Sequence, residues 1–525
     1  MNTWNKNQEK KIPKGYFLAM QKAILIFIFI YLQVNSLLFA NNLIISNANI
    51  NGNTIELEIS WDNAWNFLQQ GGSSDATWLF VKGKNSSGVW VHIDLSIEAK
   101  NYTRMPSLTI ETVSDGKGVF VYGQANGSYN ITTTPISLNS TTNLSAFTDV
   151  RVFAIEMVHI PQGEYFLGDG VSISSLGDTN GNPFLITSEA AINGDELSII
   201  NTNEQFTPET LPTLIPDNFP KGYKWFYVMK YELSQVQYVD FLNTLSFTQQ
   251  QKRTSFSPTS PSGTFAMVNP NQPDSLYRNG IAISVSGSVS GTPAIYAMDG
   301  NANGIFNEED DGLHRAANFL SWGDLSAYLD WAALRPITEM EYEKICRGEY
   351  EPIAGEFAWG TTMVTNAINP INDGTVFESV SDVPLAGSGL ANHGNVVAID
   401  GWGLRGVLRN GFAANESTNR VESGAAFYGV MEMSGNVWEY TVMVSDEGVL
   451  YSGTCGDGFL DDNGNANQPY WCNSDSAFGV LLKGGAWGST ISEVGSWRDL
   501  AISDRFYSHI KPTMRRSTTG GRGGR

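Results

Sequence analysis

At 525 residues, 42% hydrophobic and 16% charged, the chain is long enough for two or three cored globular units and too apolar to stay disordered. Its 53 acidic against 32 basic residues give a formal charge of -21, which repels phosphate backbones and anionic lipid and argues against nucleic acid as a partner. The 53 glycines and 14 tryptophans, with frequent Asn, Ser and Thr, predict a protein rich in strands and turns, with long ordered loops and few helices.

Lys22 precedes an apolar run from Ala23 to Leu32 that leads to Ser36-Leu-Leu-Phe-Ala40. A charged start, a short hydrophobic segment and a small-residue cleavage site together read as a signal peptide over residues 1–40, cut after Ala40, with Met20 as an alternative start. The run is short for a bilayer, and no second apolar segment of that length follows, so no stable membrane span is expected after cleavage. No cysteine follows the cut, so a lipid anchor is not indicated. The expected location is the periplasm, the cell surface or the medium.

Residues 41–152 predict an all-β sandwich. An Asn51-Gly52 turn separates two strands, with Ile55, Leu57, Ile59 and Trp61 on one face of the second. The segments TWLFVKGK, GVWVHIDLSI and GKGVFVYG continue the period-two alternation. His92, the only histidine here, lies in a strand pattern and reads as a packing or surface residue.

From Phe153 the texture changes to long polar loops carrying aromatics, with helices that can be placed by their caps. Ser234 with Gln237, Ser321 with Asp324 and Thr338 with Glu341 each form a capping box, in which the first side chain accepts from a free backbone N–H and the second reaches back. Three short helices among many loops give residues 153–525 an α+β class. Cys346 falls in the third helical pattern and reads as a small buried hydrophobe. Cys455 and Cys472, close in sequence, are a possible disulfide in an oxidising compartment, worth about 3 kcal/mol by loop closure.

Seven segments then occur in a recognisable order: EMVHIPQGEYFLGDG, MKYELSQVQYVDFLN, WAALRPITEMEYEKICRG, EFAWG, GVMEMSGNVWEY, LLKGGAWGS and the terminal RRSTTGGRGGR. Together they resemble the sulfatase-modifying-factor, or formylglycine-generating enzyme, domain family from about Phe153 to Arg525. The resemblance implies a low-helix, C-type-lectin-related α+β fold. It also implies a structural calcium held by Glu432, Gly435, Val437 and Glu439. The family's oxidase chemistry uses two cysteines to grip copper, because Cu(I) prefers soft thiolate. At those two positions this chain carries Ser489 and Val494, and no cysteine lies between Asn473 and Arg525, so copper and formylglycine chemistry are not expected.

A second calcium signal is independent of the family. Asp299, Asn301, Asn303, Asn307 and Asp310, with a glycine at 304 and the carbonyl of Ile305, fit the oxygen-donor spacing of an EF-hand-type loop. The stretch from Asp457 to Gly464 is a poorer relative. The five histidines, His92, His159, His314, His393 and His509, show no iron-ligand spacing, and Ser489 with His509 lacks the elbow sequence of a hydrolase. The first expectation is an exported, non-oxidase family member that binds an extracytoplasmic protein or glycan, with calcium ordering its loops. An active modifying enzyme with altered metal ligands, and a structural part of a gliding or cell-surface apparatus, are the alternatives.

Overall fold

The two strands around Asn51-Gly52 form a hairpin: β1 (Ile44–Asn51) pairs antiparallel with β2 (Thr54–Asn66), Asn51 opposite Thr54 and Ile50 opposite Ile55. Gly52 has φ of +62°, the left-handed conformation a two-residue hairpin turn requires and a side chain resists. This computed structural model describes residues 43–202, 210–394, 405–415, 417–489, 499–509 and 511–525. The expected signal peptide and Val494 lie outside the described residues. Among the described residues no helix is long and apolar enough to cross a membrane.

The hairpin opens a sheet built from β3 (Ser74–Lys84), β4 (Trp90–Ile93), β5 (Thr103–Arg104), β6 (Leu108–Thr112), β7 (Val119–Gly123), β8 (Gly127–Asn139) and β9 (Asp149–Ile160). Strands β2 and β8 form one leaf; β3, β6, β7 and β9 form the other. Ile55, Leu57, Ile59 and Trp61 point from β2 into a core shared with Leu79 and Val81 of β3 and Val119 and Val121 of β7. Alternation on β2 therefore reads as expected, one face buried and one exposed.

Strand β3 differs, because all but its last residue is buried. Leu79 and Val81 face the first core, while Ala76, Trp78 and Phe80 face a second core shared with Trp331, Phe241 and Tyr328. The Trp78 indole donates to the carbonyl of Ala332 at 3.0 Å, and Lys82 Nζ donates to the carbonyl of Gly458 at 2.7 Å. Sheet hydrogen bonding also continues past the first region: β10 (Phe226–Met229) pairs with the end of β9, Phe226 opposite Ile160 and Met229 opposite Met157. The boundary expected at residue 152 thus falls inside β9, and the described residues on its two sides pack as one unit. A strand apolar on both faces has to be covered on both, which welds the β-rich region to the helices and loops beyond it.

The rest consists mostly of short strands and loops around four helices. α1 (Gln235–Leu242), α3 (Trp322–Trp331) and α4 (Glu339–Arg347) start at Ser234, Ser321 and Thr338 with complete capping boxes. A further helix, α2 (Phe247–Arg253), was not anticipated, although Ser246 and Gln249 form the same box. Three strands close the molecule: β11 (Trp438–Val442) lies between β12 (Val480–Lys483), antiparallel, and β13 (Thr519–Gly520), parallel. Within the Arg-Gly tail, Thr519–Gly520 form this last strand and residues 519–524 are buried, while the Arg525 guanidinium stacks on the Trp78 ring at 4.2 Å.

Candidate functional site

Behind β12, Gly484 and Gly485 both have positive φ and turn the chain sharply toward Trp487. A Cβ on Gly484 would sit 2.7 Å from the Met433 carbonyl, so the turn depends on glycine. Trp487 is fixed from both sides: its N–H donates to the Asn436 carbonyl at 2.9 Å, and its indole donates to Ser517 at 2.8 Å. This turn delivers Ser489 to the floor of a small pocket of about 180 Å³ lined also by Trp438, Asp499, Tyr507, Arg516 and Thr518. Tyr507 packs edge-on against Trp438 with ring centroids 4.8 Å apart.

Ser489 itself is held locally. Its Oγ accepts from the Ala486 N–H at 3.0 Å and its carbonyl accepts from Gly394 at 3.0 Å. A hydroxyl tied to its own turn is an orienting group rather than an activated nucleophile. His509 Nδ1 lies 2.7 Å from the Phe506 carbonyl. Arg505 is sequestered from the pocket, buried with Nε and Nη2 donating to Glu339 at 2.6 and 3.1 Å.

No sulfur lines this pocket among the described residues. Cys346 is buried in α4, and burial pushes its thiol well above the ordinary range. Cys455 and Cys472 are both thiols in this structure, the first half-buried and the second buried. The Cys472 Sγ donates to the Gly479 carbonyl at 3.5 Å, inside the larger core.

Beneath the pocket, the run from Ser434 to Glu439 builds a buried polar hub. Gly435 and Asn436 take φ of +102° and +62°, folding the segment so that the Asn436 side chain points inward. Its Oδ1 accepts from Asn392 and from the Leu408 N–H, both at 2.9 Å, and its Nδ2 donates to Glu232 at 2.6 Å. The other Glu232 oxygen accepts from the Val437 N–H at 3.0 Å.

The residues expected as calcium ligands, Glu432, Gly435, Val437 and Glu439, lie around an arginine. Both oxygens of Glu439 accept from the Arg522 guanidinium, at 2.7 to 3.0 Å, and Arg522 further donates to the carbonyls of Met229, Lys230 and Met431. The cation among these carboxylates is thus supplied by the chain. Gly435 donates its N–H to Gly484, and Glu432 accepts from the Gly411 N–H at 2.9 Å through one oxygen, leaving Oε2 buried with no donor. Burial opposes the charge on Arg522, but Glu439, Glu232 and Glu432 outweigh it and raise its pKa. Spacing alone gave no sign of Glu232 or Arg522. Each does lie in a segment that carries the family resemblance, and a buried charge needs an opposite partner.

Residues 220–522 match the sulfatase-modifying factor enzyme 1-like domain, which is more than half of the chain. The chain belongs to that family. No curated protein matches it. As a sulfatase-modifying-factor-like protein it keeps the SGNVWEY turn and the glycine turn before residue 489 as a structural unit, with Arg522 of the last segment closing the hub from below.

The expected EF-hand-type loop closes on its own backbone N–H groups. Asp299, Asn301 and Asn303 accept from the N–H groups of Gly304, Asn303 and Ile305 at 3.3, 3.0 and 2.7 Å. Asn307 turns away, its Oδ1 accepting from Met298 in the preceding strand at 3.0 Å, and Ile305 is exposed. The carboxylates that meet are those of Glu308, Asp310 and Asp311, of which only Asp310 was expected.

Buried carboxylates also set a pH dependence. Burial raises Asp75 to about 6, and Glu432 and Asp330 to about 7. Because the folded values lie above the unfolded ones, this contribution is fully present below about pH 4 and is lost as pH rises through 6 to 7. Thermal melting is expected to fall on going from pH 5 to pH 8. A melting temperature that climbs over that interval would contradict the protonated state of these groups.

Proposed function

We propose that this protein is an exported, non-oxidase member of its family that binds an extracytoplasmic protein or glycan, with the pocket at Ser489 as its recognition site. One observation carries the reading: where the family resemblance expects a copper-gripping thiolate, a serine hydroxyl is held by its own turn in a pocket whose described lining has no sulfur. Hydroxyl oxygen is a hard donor and does not hold Cu(I). The pocket instead offers an aromatic wall of Trp438 and Tyr507, the exposed Arg516 guanidinium and the Thr518 hydroxyl, a mixture suited to holding one side chain or one sugar unit. Its volume of about 180 Å³ is too small for a larger ligand. Export rests on the charged start and apolar run that end at Ala40.

The test is a reaction and a loading assay on the same sample. Protein incubated with Cu(I) and a sulfatase peptide carrying the target cysteine is expected to retain no copper after desalting and to form no aldehyde. Stoichiometric copper together with aldehyde on the peptide would restore the oxidase.

A further inference from the structure

We propose that Glu308, Asp310 and Asp311 form a calcium site on the loop that follows the strand Ile295–Met298. The three carboxylates each present an oxygen within 4.8 Å of the others, the spacing a single hard cation needs. Asn301 lies against the cluster, its amide nitrogen donating to the Asp310 Oδ1 at 3.0 Å.

An acidic cluster alone would mean little on so acidic a surface, but Asp311 is different. It has no solvent exposure, its Oδ2 accepts from the Glu308 N–H at 2.7 Å, and its Oδ1 has no hydrogen-bond donor. A buried carboxylate oxygen left without a partner is costly, and here no cation of the chain relieves it. Among the described residues, no lysine or arginine pairs with Asp299, Glu308, Asp310 or Asp311. Elsewhere the fold supplies a guanidinium to its buried acids, as Arg522 does for Glu439 and Arg315 for Glu378. At Asp311 it supplies none, and an ion from outside meets that need.

The donor set selects the ion. All donors are oxygen, on a loop without flanking helices, and calcium accepts irregular oxygen cages whereas magnesium demands a tight octahedron. The geometry also says what the ion would hold. The Asp310 backbone packs against Gly374, whose carbonyl accepts from the Gly312 N–H at 2.7 Å. Beyond it, Arg278 and Arg315 converge on Asp373 and Glu378. Calcium here would fix the 299–311 loop and, through Gly374, the segment carrying Asp373.

The experiment is a calorimetric titration of metal-stripped full-length protein with CaCl2, repeated on Glu308→Gln and Asp311→Asn, with melting measured with and without excess chelator. The wild type is expected to bind at sub-millimolar calcium and to melt higher with it. Each variant should bind at least tenfold more weakly and lose most of that rise. Should Asp311→Asn fail to fold, Glu308→Gln, with its partly exposed side chain, decides alone. An unchanged isotherm in a folded variant, or a wild type that takes up no calcium at millimolar concentration, overturns the site. Neither result touches the Ser489 pocket, whose assay reads copper and aldehyde.

Discussion

Replacing Arg522 by methionine is expected to cost about 3–5 kcal/mol of unfolding free energy, read as a large fall in the urea midpoint with little change in slope. Arg522 and Glu439 are each about 1% exposed or less at the side chain, and six hydrogen bonds spend the guanidinium's donors on Glu439 and three carbonyls. Removing it strips Glu439 of its paired cation and leaves Glu232 and Glu432 beside it with less counter-charge; burial first, and then repulsion from Glu439 and Glu432, already raises Glu232. The variant should recover part of its loss as pH falls from 7 to 5, because protonating these acids removes the repulsion. Substituting Glu439→Leu in the same background should restore further stability, since a paired loss strands fewer charges than a single one. A cost below about 1 kcal/mol for Arg522→Met would show that this ion pair is not what closes the hub.

How much of this was legible depends on range along the chain. Capping boxes span three residues, so Ser234, Ser321 and Thr338 marked their helices directly, and Ser246 would have marked a fourth had the same rule been applied there. The hairpin at Asn51-Gly52 was equally local. In contrast, Glu232 meets Asn436 across 204 positions and Glu439 meets Arg522 across 83, distances at which residue spacing carries no information. Glu439, a calcium ligand by resemblance, could not be paired with Arg522 from the sequence, because the arginine belongs to a different segment. In the second loop the Asp and Asn spacing was legible, but the contact of Asn307 with Met298 and the convergence of Glu308 and Asp311 on Asp310 were not. The division expected at residue 152 falls inside β9. Period-two alternation on β3 shows that successive residues face opposite ways, and the run Thr77 to Val81, apolar on both faces, was the available sign that both were covered.

That shared strand leads to the second large expected effect. Trp78→Ala should destabilise the protein by about 3–5 kcal/mol, as emptying a fully buried indole site does when neighbours cannot collapse inward. Collapse is blocked on every side: Phe120 lies 4.8 Å away by ring centroids, Arg525 is stacked on the ring at 4.2 Å, and the Ala332 carbonyl loses its 3.0 Å donor. The location of the loss matters more than its size. If the β-rich region were a separate domain beside the family domain, the cavity would lower one transition and leave another in place. Because β3 and β9 form a wall of the larger core, and β10 hydrogen-bonds to β9 beyond residue 153, unfolding should remain a single cooperative transition that moves as a whole. Calorimetry with near-ultraviolet circular dichroism distinguishes the two. Coincident curves at a lower midpoint support the shared wall, whereas a split transition with the upper half unmoved would mean that residues 43–160 fold on their own and merely dock.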